Sequence, residues 1–174
     1  MEALTAYTIP VSSLRNGRNE LDFSVDWRFF RHFEGSPVEQ GSFKIGVVFE
    51  KFPDHWHLWF DVSGVMDTEC DRCLVPISLP VSGEYGLYVK FDPNATPDPS
   101  GDVIYVAKET TQLHIAQYLY EFIVLSIPVA KRINCEGGET APCDMEMLAR
   151  LDEEVTQDPE GTPWDVLKEI QITK

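Results

Sequence analysis

Alternation of apolar and polar residues in three successive segments constrains the fold of this chain more than any other feature. Apolar residues recur at every second position in Glu20 to Phe30, and the same period returns in Val38 to Phe52 and in His55 to Met66. A period of two is typical of β-strands that bury one face and leave the other in water. The short break at Pro53-Asp54 favours antiparallel neighbours, in a hairpin or meander.

Shorter strands are expected on both sides of these three segments. The segment from Ala6 to Ser13 also alternates and predicts a first strand. Leu74 to Phe91 predicts two strands with a break near Pro80 and Gly83, because both residues interrupt regular strands. Val103 to Val106 predicts a brief final strand.

The pattern changes to a helical period after residue 110. Thr111 is a suitable N-cap, and Pro128 stops the pattern. Between them the apolar residues fall on one helical face: Leu113, Ala116, Leu119, Tyr120, Ile123, Val124 and Ile127. Met145 to Val155 predicts a short helix, and Pro163 to Ile170 predicts one or two further helical turns.

Because the strands come first and the helices last, the sequence predicts an α+β fold rather than alternating βαβ units. The expected architecture is an antiparallel, strongly curved or barrel-like β-sheet with one main helix and short C-terminal helices. A length of 174 residues fits a single domain over residues 1–174. Within it, residues 92–102 are expected to form a surface loop, and residues 156–174 a C-terminal tail packed on the domain.

The charge balance argues against binding to naked nucleic acid. The net charge is −15, and the 14 Lys and Arg residues do not cluster, so that phosphate backbones are repelled. A stacking platform for single-stranded RNA is one interpretation of the numerous aromatic residues, but strand alternation favours core positions for most of them: Trp27, Phe29, Phe30, Phe33, Trp56 and Trp59. A basic protein partner is easier to justify.

The sequence lacks the motifs that would indicate secretion, membrane insertion or enzymatic activity. The first five residues show no secretory signal pattern, and no apolar run reaches the length of a membrane span, so we expect a cytoplasmic protein that does not enter membranes. No catalytic motif, phosphate-binding loop or small-molecule substrate site is evident. His55 and His57 lie on the polar side of a strand, where we expect a solvated pair rather than a ligand site.

The four cysteines are the clearest chemical signal. Cys70 and Cys73 form a C-x-x-C motif, and Cys135 and Cys143 follow the main predicted helix. Four thiolates match a tetrahedral structural zinc site, which would join the sheet to the segment after the helix. Two alternatives stay open, namely reduced cysteines that serve as packing residues and a redox-active disulfide. The seven residues between Cys135 and Cys143 exceed the usual spacing of a zinc knuckle.

The order and spacing of several short motifs resemble the YceD family, the large ribosomal RNA subunit accumulation proteins. The resemblance extends from about Leu4 to Ile170. It rests on Cys70-Asp71-Arg72-Cys73-Leu74, the helix from Leu113 to Leu125 with Tyr120-Glu121, Ile127-Pro128, the cysteine that follows, and Pro163-Trp164-Asp165-Val166-Leu167.

This resemblance implies a role in the accumulation of large-subunit (23S) ribosomal RNA and in ribosome assembly, without established enzymatic activity. It also implies binding of a metal or of nucleic acid. The partner would be a ribosomal protein or a pre-ribosomal particle, with ribosomal RNA as an additional candidate. Cys70 and Cys73 match the family's C-x-x-C, whereas family members often carry a denser cysteine cluster after the helix than Cys135 and Cys143 provide. The alternatives are a zinc- or thiol-dependent enzyme that uses Cys70 and Cys73, or a β-rich interaction scaffold.

Overall fold

Most of the predicted alternation is realised as one five-stranded sheet in the computed structural model, which describes residues 2–92, 102–133 and 143–156. The strands are β1 (Thr8–Ile9), β2 (Gly17–Asp26), β3 (Gln40–Lys51), β4 (His55–Glu69), β5 (Pro76–Phe91), β6 (Val103–Val106) and β7 (Leu113–His114). The α-helices are α1 (Trp27–Phe30), α2 (Ala116–Ser126) and α3 (Met145–Thr156), and short 3₁₀ helices span Glu2–Tyr7 and Val11–Ser13.

The large sheet has the order β2-β3-β4-β5-β6, and β1 pairs separately with β7. Strands β2 to β5 are antiparallel, whereas β6 runs parallel to β5. The α+β class is therefore confirmed. The barrel-like alternative is wrong, since β2 and β6 are separate edges of the sheet, and the parallel pairing of β6 makes the sheet mixed rather than purely antiparallel.

One face of the sheet carries the hydrophobic core, as the alternation predicts. The side chains of β3 and β4 that point to this inner face are almost fully buried: Phe43, Ile45, Val47, Phe49, Trp56, Leu58, Phe60 and Val62. Helix α2 packs on them through Phe122, whose ring contacts Phe60 at 4.9 Å and stacks on Tyr85 at 4.7 Å. We call the opposite side of the sheet the outer face.

Close approach of α2 to β5 requires a glycine. A Cβ atom at Gly83 would lie 2.5 Å from the Ser126 hydroxyl oxygen and 2.9 Å from the Tyr85 ring. That hydroxyl donates to the Phe122 carbonyl and lies 3.0 Å from the Tyr85 hydroxyl. The last turn of α2 is therefore held against β5 by polar contacts as well as by apolar packing.

Two strand predictions are only partly right. Strand β2 ends at Asp26 instead of continuing to Phe30, because the Asp26 carboxylate accepts the Arg28 backbone N–H at 2.9 Å and caps α1. This short helix buries Phe29 and Phe30 together, which a strand cannot do. The predicted strand from Ala6 to Ser13 is mostly 3₁₀ helix, and only Thr8–Ile9 forms a strand.

Strand β5 is continuous, so the predicted break near Pro80 and Gly83 is wrong. Pro80 lies opposite Val65 of β4. On the side of β5 away from β4, strand β6 pairs only with Tyr88 to Phe91. Within the described ranges, therefore, no strand lies beside Pro80 on that side to accept the hydrogen bond that a proline cannot donate.

The helix predictions are right in kind but not in every boundary. Helix α2 begins at Ala116 rather than after Thr111, because Leu113 and His114 pair with β1 instead. Helix α3 confirms the prediction for Met145 to Val155. Its 12 residues make it at least as long as the 11-residue α2, so the expected single main helix with short C-terminal helices is wrong in this respect.

Three predictions lie outside the described residues: most of the surface loop of residues 92–102, of which only Asp92 and Asp102 are described, the C-terminal tail after Thr156, and the helix from Pro163. Of the helices in the described part, none is long and apolar enough to cross a membrane.

Two glycines of the sheet give a matched test of the packing. A Cβ atom at Gly64 would overlap the Ser42 carbonyl oxygen and lie 2.8 Å from the Phe43 Cα atom, whereas at Gly46 it would meet nothing within 4 Å. We expect Gly64→Ala to lower the free energy of unfolding in urea by about 1–3 kcal/mol. Gly46→Ala should change it by less than about 0.5 kcal/mol. Equal effects of the two substitutions would contradict the described register.

Candidate functional site at the Cys70–Cys73 turn and on the outer face

The C-x-x-C motif forms the tight turn that joins β4 to β5. The Leu74 N–H donates to the Cys70 carbonyl, and the Cys70 N–H donates to the Val75 carbonyl, both at 2.9 Å. Leu74 has a φ angle of 59°, a left-handed conformation that is unfavourable for a side-chain-bearing residue and concentrates at functional sites. Cys70 and Cys73 are both buried, so this turn presents its sulfur atoms inward.

Backbone N–H groups converge on the Cys70 sulfur. They lower the pKa of the Cys70 thiol to about 7, and the largest contribution comes from the Cys73 backbone N–H. Burial acts in the opposite direction, while the Arg72 N–H, the Cys73 thiol and the Ile133 N–H lower the pKa further. These N–H groups favour the thiolate form of Cys70 over its ordinary population, and the thiolate is the form of cysteine that binds metals.

The segment after α2 docks on this turn. The Asp71 N–H donates to the Lys131 carbonyl at 2.8 Å, and the Lys131 N–H donates back to the Asp71 carboxylate at 2.7 Å. The Lys131 ammonium lies 3.8 Å from the same carboxylate. Ile133, which reaches the Cys70 sulfur, precedes Cys135 by two positions in the sequence. Hydrogen bonds therefore hold the segment after α2 against this turn, and the predicted junction through a zinc ion stays a prediction.

The predicted zinc ligands are only partly brought together. Cys70 and Cys73 meet in the turn, and Cys143 is half-buried against the core, directly before Asp144, whose carboxylate caps α3. Cys135 lies outside the described residues. Within the described ranges, no three Cys, His, Asp or Glu side chains form a group that could hold a metal ion. The four-thiolate site stays a prediction, with two of its ligands preorganised.

A second cluster, which sequence reasoning missed, lies on the outer face. His57 is only 7% exposed, so the expectation that it is solvated like its neighbour His55 is wrong. Its ring stacks on Tyr88 at 4.1 Å and contacts the edge of Trp59 at 4.5 Å. Alternation places these residues on the polar side, but only the β4–β5 register places Tyr88 opposite His57.

The two nitrogens of His57 have different surroundings. Nδ1 lies 3.8 Å from the Glu50 carboxylate, whereas Nε2 is buried and has no hydrogen-bond partner among the described residues. Burial is the main cause that lowers the pKa of His57, and the nearby Glu50 carboxylate acts against it. A neutral ring with its proton on Nδ1, facing Glu50, leaves Nε2 as an acceptor.

Residues 58–171 match the family model described as "Large ribosomal RNA subunit accumulation protein YceD". The chain belongs to the YceD family. The matched region includes the Cys70–Cys73 turn, α2 and the positions of Cys135 and Cys143, while β2 and β3 precede it. No curated protein and no solved structure matches the chain significantly.

Burial of His57 has a consequence for stability in acid. Because the pKa of His57 is lowered in the folded protein, the unfolded chain takes up the proton first as the pH falls below about 6.5. We therefore expect His57 to reduce the free energy of unfolding progressively from about pH 6.5 down through its folded pKa. His57→Phe, which keeps an aromatic ring, should lack this contribution in urea unfolding measured from pH 8 to pH 5.

The difference in the free energy of unfolding between wild type and His57→Phe isolates the contribution of His57 and of its interactions with Glu50 and His55, so this difference is the informative quantity. It should be constant above about pH 7 and should shift in favour of the variant below pH 6.5. A difference that does not depend on pH would contradict the buried, neutral state of His57.

Proposed function

We propose that this YceD-family chain is a non-enzymatic factor that supports the accumulation of large-subunit ribosomal RNA and ribosome assembly by binding a basic ribosomal protein, alone or on a pre-ribosomal particle. The observation that carries the proposal is the family match over residues 58–171. The family's name implies the role in ribosomal RNA accumulation, and the charge of the chain supports the choice of partner.

The distribution of acidic residues supports a protein partner over naked RNA. Asp61 of β4 lies directly opposite Glu84 of β5 on the outer face, and both are exposed. Like charges in this arrangement destabilise a sheet, so a complementary partner would relieve their repulsion. With a net charge of −15, association with a basic protein is accelerated, whereas approach to phosphates is opposed.

The cysteines are proposed to serve structure rather than catalysis. A zinc ion held by Cys70, Cys73, Cys135 and Cys143 would stabilise the folded form, because such a site does not exist in the unfolded chain. The N–H groups around the Cys70 sulfur support a metal-binding thiolate. Reactive cysteines are accessible to their substrates, and the full burial of Cys70 speaks against the alternative of a thiol-dependent enzyme.

The role in ribosome assembly is tested in cells that lack the protein. We expect the ratio of large-subunit to small-subunit ribosomal RNA to fall, with fewer mature large subunits in a sucrose gradient, and we expect a plasmid copy of the wild-type chain to restore both. Affinity purification should recover large-subunit precursor particles together with a basic ribosomal protein. An unchanged ribosomal RNA ratio, combined with no recovery of such particles, would exclude the proposed role.

Elemental analysis of the purified protein tests the metal. A four-thiolate site predicts about one zinc ion per chain, loss of zinc in Cys70→Ser and in Cys143→Ser, and a lower melting temperature after chelation. Glu69→Gln, next to the turn but not a predicted ligand, should keep its zinc. Zinc-free protein in which all four thiols are rapidly alkylated would overturn the structural site.

A further inference from the structure

The outer face carries a row of acidic residues interrupted by one glycine. The pairing of four strands places Asp22, Gly46, Asp61 and Glu84 side by side in that order. The three carboxylates are exposed and form no ion pair with any residue in the described ranges. Of the basic side chains on this face, Lys44 belongs to the adjacent row, and Arg18, two rows away on the other side, pairs with Glu20 at 3.0 Å.

The glycine creates a notch in this row. A Cβ atom at Gly46 would meet nothing within 4 Å, and an open cavity of about 460 Å³ lies above it. Its lining includes the acidic residues Asp22, Asp61 and Glu84, and the ion pair of Arg18 with Glu20. Trp59, 49% exposed, forms an aromatic wall. We call this cavity the Gly46 notch.

The unpartnered nitrogen of His57 lies on the other side of the Trp59 ring. A Cβ atom at Gly86 would stand 3.4 Å from Trp59 and 3.6 Å from His57 Nε2, so Nε2 points to the space that Gly86 leaves next to Trp59. A buried nitrogen without a partner is costly and suggests a ligand that supplies a donor. Trp59 and Tyr88 both contact the His57 ring, so access of a ligand's donor to Nε2 requires one of these half-exposed rings to change its rotamer, a change that is common at interfaces.

We propose that the outer face binds an arginine-rich, extended segment of a basic protein, with one arginine side chain seated in the Gly46 notch between Asp22 and Asp61 and against Trp59. A second donor from the same segment reaches His57 Nε2. This inference rests on the proposed function for the identity of the partner protein. The binding of an arginine-rich segment, in contrast, depends only on the chemistry of the outer face.

Arginine fits this notch better than other groups. Its planar guanidinium stacks on an aromatic ring and presents several N–H donors to carboxylates at once. A lysine ammonium has no planar surface and is more strongly hydrated. An RNA segment could stack a base on Trp59, but its phosphates would approach Asp22, Asp61 and Glu84, which opposes binding.

The test uses the purified full chain and a fluorescein-labelled synthetic peptide in which arginine alternates with serine, measured by fluorescence anisotropy. The key variant is Gly46→Val, which fills the notch without altering any charge. Ser82→Val, which places the same valine side chain on the outer face outside the notch, is the matched control. We expect Gly46→Val to weaken binding about fivefold or more, and Ser82→Val to bind within about twofold of wild type.

Further variants separate the notch from general charge attraction. Asp22→Asn and Asp61→Asn should each weaken binding, and Trp59→Leu should weaken it more than Trp59→Phe, which keeps a ring. The equivalent lysine-serine peptide should bind more weakly to wild type, and Gly46→Val should abolish this preference for arginine. Thermal unfolding confirms that each variant is folded before binding is compared.

Equal binding of the arginine peptide by wild type and Gly46→Val would overturn the inference. Tighter binding of a labelled single-stranded RNA, weakened by Gly46→Val, would replace the peptide with RNA as the occupant and would also overturn it. A different result would contradict the proposed function but not the Gly46 notch. If ribosomal RNA is unchanged in cells that lack the protein while peptide binding remains sensitive to Gly46→Val, the notch stands and the role in assembly does not.

Discussion

Continuous pairing of β4 with both of its neighbours positions nearly every residue of functional interest. Strand β4 pairs with β5 from His55 to Glu69, and this register sets the Cys70–Cys73 turn at one end of the hairpin. The same register places Trp59 opposite Gly86 in the middle of the outer face. A slip of one residue would exchange the two faces of the strand, moving Phe60 into water and His57 into the core.

The sequence predicts the parts of this fold that depend on local period. Alternation identifies the buried residues of β3 and β4 correctly, from Phe43 to Val62, because each residue's face follows from its position in the strand. It fails where one specific interaction outweighs the period, as at Asp26, which caps a helix turn, and at Leu113, which pairs with a distant strand. Pro80 does not break β5 for a similar reason, since the N–H that proline lacks matters only where a neighbouring strand would accept a hydrogen bond from that position.

The candidate sites, too, are predictable from the sequence only where they depend on local spacing. The C-x-x-C motif is evident from residue spacing, but the contact of Ile133 with the Cys70 sulfur is tertiary and has no sequence signal. On the outer face, Asp22, Asp61 and Glu84 are unremarkable when read along the chain. They become a row only when three strand registers are known, and Gly46 becomes a notch only because its neighbours in that row carry side chains.

The contact between Asp71 and Lys131 closes a loop of 60 residues, and β5, β6, β7 and α2 lie entirely within that loop. The entropic cost of closing such a loop grows only slowly with its length, so a few hydrogen bonds can hold a large part of the chain in register. Helix α2 is also fixed to the same hairpin through Ser126 and Tyr85. Elements attached at two points in this way open together rather than one by one. We therefore expect the hairpin and α2 to unfold as one cooperative unit, so that a ligand that stabilises the turn also stabilises the helix.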